Sequence, residues 1–182
     1  TRGTRITFYP DKQIFKEFSK FDRKWVLKYL RHQAYLTKGI RAKLIDYRDN
    51  EAHPFRYEFY FDGGIRSYVK HLNVGKETLS PDVFYVEKKV EDSEVEIAIQ
   101  YNDGYSENVM PFANNVYNPE GGTHLMGFRA AMTRVVNDYA RKVGLLKEKE
   151  ENLTGDDIRE GQTAAILVKI PDPQFEGQTK NK

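Results

Sequence analysis

With 182 residues, of which 39% are hydrophobic and 31% charged, the chain has the composition of a folded domain with a sizeable core, and a disordered chain is excluded. Cysteine is absent, which excludes disulfide scaffolds and thiolate chemistry, and a formal net charge of +2 announces no nucleic-acid surface while leaving room for a local basic patch. No apolar run approaches the ~20 residues of a membrane span and the first residues lack a signal-like apolar core, so no membrane association and a cytoplasmic location are expected.

In "TRGTRITFYP", Ile6 and Phe8 alternate with Arg5, Thr7 and Tyr9, which predicts a half-buried strand ended by Pro10 and Asp11. Asp22 is placed to cap a helix on which Trp25, Val26, Tyr29, Leu30 and Ala34 recur at helical spacing, with Gly39 as its stop. "IRAKLIDYRD" alternates again, with Ile40, Ala42 and Leu44 on one face. This strand–helix–strand unit is too small to hold a core alone. The polar run "RDNEAHP" marks a boundary near Asn50, dividing the chain into 1–50 and 51–182.

Beyond it, "FRYEFYF" predicts a strand with Phe55, Tyr57, Phe59 and Phe61 on one face, and "IRSYVKHL" a short helix. Strands follow at 83–90, 94–101 and 105–112. The Asn-Asp-Gly at 102–104 favours the positive φ of a tight hairpin, so the three read as an antiparallel meander. "ANNVYNPEGG" reads as a loop. The next segment, "THLMGFRAAMTRVVNDYARKVG", predicts a long helix capped by Thr123 and closed by Gly144, with Leu125, Phe128, Met132, Val135, Tyr139 and Val143 along one face. "LTGDDIREG" starts another helix at Thr154, where Asp156 and Asp157 suit the helix dipole. "QTAAILVKI" reads as a buried strand and "PDPQFEGQTKNK" as its exit loop. Strands and packed helices in this order give an α+β fold.

Catalytic motifs are scarce. His32, His53, His71 and His124 are scattered without metal-ligand spacing, so no metal site is expected within the chain. "EGGTH" could bring backbone close to a phosphate, but two glycines equally make a tight loop. Arg129 and Arg134 stand five residues apart, roughly 140° around a helix, and so do not share a face. Each is either a solvated surface arginine or a phosphate or inter-subunit contact. Lys180 in "QTK" is either a lysine in solvent or the point-charge partner of a terminal phosphate.

The stretches "GTRITFYPD", "YLTKGIRAKLIDYRD", "FDGGIRSYVKHLN", "IQYNDGYSENVMPFANN", "EGGTHLMGFRAAMTRVVNDYARK", "LTGDDIREG" and "VKIPDPQFEGQTKNK" occur in one order over nearly the whole chain. With them the chain resembles the family of B subunits of bacterial DNA gyrase and topoisomerase IV, the type IIA DNA topoisomerases, with gyrase and topoisomerase IV both open. The resemblance implies that residues 1–50 form the strand–helix–strand end of a GHKL ATPase domain. It implies that residues 51–182 form a transducer domain ending in the QTK loop, with a ribosomal-protein-like β-α-β fold, a mainly antiparallel sheet and a left-handed crossover where the general rule is right-handed. The family's magnesium-holding Asn, catalytic Glu and Gly-rich lid precede this region, its TOPRIM domain follows, and its catalytic tyrosine belongs to the A subunit. This stretch alone is therefore expected neither to hydrolyse ATP nor to cleave DNA.

Residue by residue, the resemblance implies that Thr4 helps bind adenine and that Gln178 and Lys180 contact the γ-phosphate. Lys180 also stabilises charge during phosphoryl transfer, a catalytic role, and the QTK loop without nucleotide is expected to be mobile. By the same resemblance Arg129 is expected to line a cavity between two transducer domains and to couple ATP use to DNA passage. The implied cofactors are ATP and Mg2+, the metal's ligands lying outside this stretch. The implied partners are DNA, the A subunit in an A2B2 complex, and a second copy of the B subunit on ATP binding. A standalone nucleic-acid-binding module and a GHKL mismatch-repair ATPase are the competing readings.

Overall fold

Two sheets organise the chain in the computed structural model, which describes residues 2–16 and 20–182. The first follows helix α1 (Arg23–Leu36), whose N-cap Asp22 accepts from the N–H groups of Lys24 at 2.8 Å and Trp25 at 3.4 Å. Only the last turn of α1, at Ala34, Tyr35 and Leu36, is buried. Trp25 and Tyr29 stack on each other at 5.6 Å and stay exposed, so the predicted apolar face is covered at one end only.

Strands β1 (Arg41–Asp46) and β2 (Phe55–Tyr60) then pair antiparallel, from Arg41 opposite Tyr60 to Asp46 opposite Phe55. The boundary expected near Asn50 therefore falls in the connection of a hairpin. The aromatic stripe of β2 forms as predicted, with Tyr57 and Phe59 at 4.8 Å and Phe59 and Phe61 at 6.3 Å. Arg23 and Arg31 of α1 lie over the rings of Phe55 and Phe59. Asp46 at the end of β1 is buried between Arg48 and Arg23, which hold its carboxyl well below the usual carboxylate range.

Residues 5–9 do not form the predicted strand; Ile6, Phe8 and Tyr9 are exposed. Alternation alone does not make a strand: its backbone groups need a neighbour, and no strand among the described residues pairs with them.

The second sheet has the order β3-β4-β7-β5-β6. Its members are β3 (Phe84–Val90), β4 (Ser93–Tyr101), β5 (Asn108–Ala113), β6 (Val116–Tyr117) and β7 (Gln162–Lys169). The expected meander is corrected by this order. β3 and β4 form the antiparallel pair, but β7 lies between β4 and β5, antiparallel to the first and parallel to the second. The reason is burial: β7 is buried along "QTAAIL", so it needs a neighbour on each side and cover on each face. The Asn-Asp-Gly turn makes no hairpin. Asn102 instead donates through Nδ2 to the Gly161 carbonyl at 2.9 Å and the Thr163 hydroxyl at 3.2 Å. Gly161 has φ +68, and a Cβ there would lie 2.3 Å from the Asn102 carbonyl oxygen, so only glycine fits. The true tight turn is Asn114-Asn115, both at positive φ, which folds β6 back on β5 within the segment read as loop.

Helix α2 (Ile65–Leu72) and the end of α1 cover one face of this sheet, where Tyr35, Ile65, Tyr68 and Val69 meet Ala98, Phe112, Ala165 and Leu167. Helix α3 (Thr123–Lys142) covers the other, with Leu125 and Phe128 against Ile99, Ala164 and Ile166. Full burial of a residue such as Ile166 or Leu167 stabilises by about 1.5–3 kcal/mol, which makes β7 the spine of the fold. Two predictions for α3 are corrected. Its N-cap is Gly122, so Thr123 already sits in the first turn and makes no side-chain cap. Its apolar stripe outruns the sheet, leaving Val135, Tyr139 and Val143 exposed. The closing Gly144 stands at φ +77, with Leu145 N–H returning to the Ala140 carbonyl. Helix α4 (Gly155–Arg159) begins on a capping box, in which Thr154 accepts from Asp157 N–H and the Asp157 carboxylate accepts from Thr154 N–H. Both aspartates thus stand at this helix start, as predicted.

Candidate functional site

The parallel pair β5 and β7 has two ends, and the candidate residues divide between them. Past the carboxyl ends lie the 114–122 connection and the exit loop 170–182. Just before the amino ends lie Glu107 and Arg159. Helix α3 begins at the first end and carries Arg129 toward the second.

At the carboxyl end the QTK loop folds back on the start of α3. Asn118, only 1% exposed, donates from Nδ2 to the Lys180 carbonyl at 2.7 Å. Glu120 N–H donates to the Asn181 carbonyl at 3.1 Å, and Asn181 Nδ2 returns to Glu120 Oε1 at 3.3 Å. Within the loop, Glu176 N–H meets the Lys182 carbonyl at 2.8 Å and the two side chains pair at 3.2 Å. The backbone of the loop is thus tied at several points. Lys180 stands at φ +55, and its ammonium lies 5.2 Å from the centre of the Phe175 ring, with no carboxylate partner among the described residues. Gln178 is exposed beside it. An exposed ammonium and an exposed amide on a fixed backbone form a donor pair suited to phosphate oxygens.

Thr4 does not join them. It lies in the exposed segment ahead of α1, with no hydrogen bond to Gln178 or Lys180 among the described residues.

At the amino end Arg129 is partly exposed but not free. Its Nε donates to Glu107 Oε1 at 3.1 Å while its second arm pairs with Oε2. Arg159 Nε approaches the same carboxylate at 3.8 Å, and its Nη2 is held by Asp156 at 2.6 Å. Arg134 reaches the same open groove as Arg129 and Arg159, although the two α3 arginines were expected on separate faces. Long side chains and the neighbouring α4 bring together what helical angle separates. Glu107, Arg159 and Asn118 escaped the sequence reading. Each stands next to an element boundary, where only the crossing of β7 between β4 and β5 makes them neighbours.

A third cluster joins the α1 unit to the sheet. Lys38, just past α1, reaches Glu87 at 3.0 Å, Glu96 at 3.3 Å and the Tyr85 hydroxyl. Burial works against the Lys38 charge, but these partners outweigh it and raise its pKa; burial pushes the Tyr85 phenol up to about 12. His32 bonds the Tyr68 hydroxyl at 3.1 Å in the aromatic layer between α1 and α2, and burial lowers its pKa. No group of three or more His, Asp or Glu among the described residues is arranged to hold a metal ion, and no helix there is long and apolar enough to cross a membrane.

Comparison with known proteins identifies the family. The DNA gyrase B family model matches residues 64–182. The DNA gyrase B protein of Halalkalibacterium halodurans is 52% identical over 180 residues, and that of Clostridium acetobutylicum 50% over 181. Each match covers 99% of this chain, which spans 28% of the relative's length. Among solved structures, the 43K ATPase domain of Thermus thermophilus gyrase B, in complex with an aminocoumarin, is similar at a TM-score of 0.78 and 36% identity. That match covers 92% of this chain and 44% of the solved one. The gyrase B protein from Myxococcus xanthus shares the fold at a TM-score of 0.80 and 22% identity, covering 100% of this chain and 52% of that one. With a family match over residues 64–182 and half of all residues identical to those of gyrase B proteins, this chain belongs to the DNA gyrase B family.

Proposed function

We propose that this chain is the part of an ATP-dependent type IIA topoisomerase B subunit that senses the nucleotide and transmits its state to DNA. The observation that carries the reading is the Lys180 ammonium, presented without a carboxylate partner among the described residues on a backbone-anchored loop. The α1 unit with the β1–β2 hairpin would be the end of the ATPase domain. That moves its expected limit from Asn50 to the end of β2, and the five-stranded sheet with its helices would be the transducer.

ATP, when bound, presents a terminal phosphate that ADP lacks. Lys180 offers it a point charge and Gln178 a neutral donor, and neither needs to break an existing ion pair to do so. Because both sit beyond β7, they reach a nucleotide held by another domain only when the two domains close. Binding energy is then realised as closure, and loss of the terminal phosphate releases it. Lys180 would also stabilise charge developing in phosphoryl transfer. Thr4 is proposed for the adenine. No residue of this chain is assigned to Mg2+. At the other end Arg129 faces a groove shared with Arg134 and Arg159, suited to the phosphates of a DNA segment. The working assembly would be A2B2, with the two copies of this protein pairing on ATP binding, in the cytoplasm. The family match argues against the mismatch-repair and standalone-module readings.

The test is Lys180→Ala in the full-length protein. ATP hydrolysis should fall about a hundredfold or more while ADP affinity stays within about twofold. Equal loss of ATP and ADP binding contradicts the γ-phosphate role.

A further inference from the structure

We infer that Asn118 is a positioning residue for Lys180, and that the 118–122 segment ties the nucleotide-sensing loop to the start of α3. The inference rests on the reading of Lys180 given above and adds the residue through which its position is set.

Asn118 is held from three sides. Its N–H donates to the Pro111 carbonyl in β5 at 3.0 Å, its carbonyl accepts from Gly121 N–H at 2.8 Å, and its side chain donates to the Lys180 carbonyl at 2.7 Å. A 1% exposed amide cannot trade that last bond for water. Lys180 is a non-glycine residue at φ +55, a conformation that needs outside support. Asn118 supplies it from behind, leaving the ammonium to face forward. The Oδ1 of Asn118 has no donor among the described residues, so the amide is kept here for its Nδ2 bond and not for a complete set of partners.

The same segment then becomes helix. Glu120 clasps Asn181 through backbone and side chain, and Gly121 and Gly122, both at positive φ, turn directly into α3. A Cβ on Gly121 would lie 2.8 Å from the Leu125 side chain, so the turn is packed against the helix it starts. Arg129 stands on the second turn of that helix. A pull on Lys180 is therefore delivered to α3 through the Asn118 and Glu120 contacts, with β5 as their anchor at Pro111.

Asn118→Asp in the full-length protein removes the donor and keeps the shape. The expected result is a fall of about tenfold in kcat for ATP hydrolysis with ADP affinity within about twofold; the buried charge also lowers the melting temperature, and Asn118→Leu, which removes the donor without adding charge, should lose kcat alike at a smaller cost in melting temperature. Asn118→Gln, which keeps a donor, should recover part of the loss. The inference is overturned if Asn118→Asp hydrolyses ATP at the parent rate while Lys180→Ala does not. It is equally overturned if Asn118→Asp loses ADP and ATP binding together with its melting temperature, which would mark a purely structural residue. Normal hydrolysis by Lys180→Ala would instead remove the reading of the loop itself, and this inference with it.

Discussion

The two ends of the β5–β7 pair present their cations in opposite ways. At the carboxyl end Lys180 is fixed through its backbone and its charge is left open. At the amino end Arg129 is fixed through its charge, with both arms of its fork on Glu107, whose side chain is 19% exposed. The first arrangement can take a new anion at little cost. The second must exchange one anion for another, because a half-buried carboxylate left unpaired is unfavourable. A sensor of a small ligand suits the first, and a site that responds only to a large polyanion suits the second.

The largest effects should separate these two ends. Lys180→Ala is expected to lower hydrolysis about a hundredfold or more, whereas Arg129→Gln in the full-length protein, assayed with the proposed A subunit, should keep ATP turnover within about threefold while strand passage falls tenfold or more. ATPase and gel-based topology assays on one preparation check this, and parallel loss of both would remove the distinction between the ends.

The next effect is on the frame that holds the amino end. Gly161→Ala should destabilise by about 2–4 kcal/mol, roughly a 10 °C loss in melting temperature, because its Cβ meets the Asn102 carbonyl at 2.3 Å in a left-handed backbone. A melting temperature within about 2 °C of the parent, read by calorimetry, would show that the 102–107 connection yields and so does not hold Glu107 rigidly.

The smallest effect concerns the α1–α2 layer. Burial, with Lys28 and Arg31 nearby, lowers the His32 pKa below its ordinary 6.5 in the folded state. The unfolded chain therefore binds a proton first as pH falls. Stability from this group is full above 6.5 and is lost as pH drops from there toward the lowered value. His32→Phe should flatten that acid limb of a denaturation series. An unchanged limb would place the titration elsewhere, His124 being the other histidine whose pKa burial lowers.

Local pattern was enough for most elements. The caps Asp22 and Thr154, the aromatic stripe of β2, the long helix and the doubly buried β7 all follow from propensities that act within a few residues. It failed where the outcome depended on a distant partner. Residues 5–9 carry a strand pattern without a neighbour, and Asn-Asp-Gly carries a hairpin pattern that Gly161 and Thr163 take over. In the candidate site, Lys180, Gln178 and Arg129 were legible only through family resemblance. Asn118, Glu107 and Arg159 were not legible at all, because nothing about an asparagine in a loop or a glutamate before a strand records what faces it.

The sequence by itself thus determined most of the secondary elements, the family and the residues that carry charge. Only the tertiary structure decided which of those charges are open and which are spent. The physical reason is the place of β7. By inserting between β4 and β5 it brings the exit loop onto the turn before α3, and it sets Arg159 beside Glu107 at the far end. A hydrogen bond or ion pair depends on separations of about 3 Å, and residues tens of positions apart acquire such separations only when the strands between them are in place.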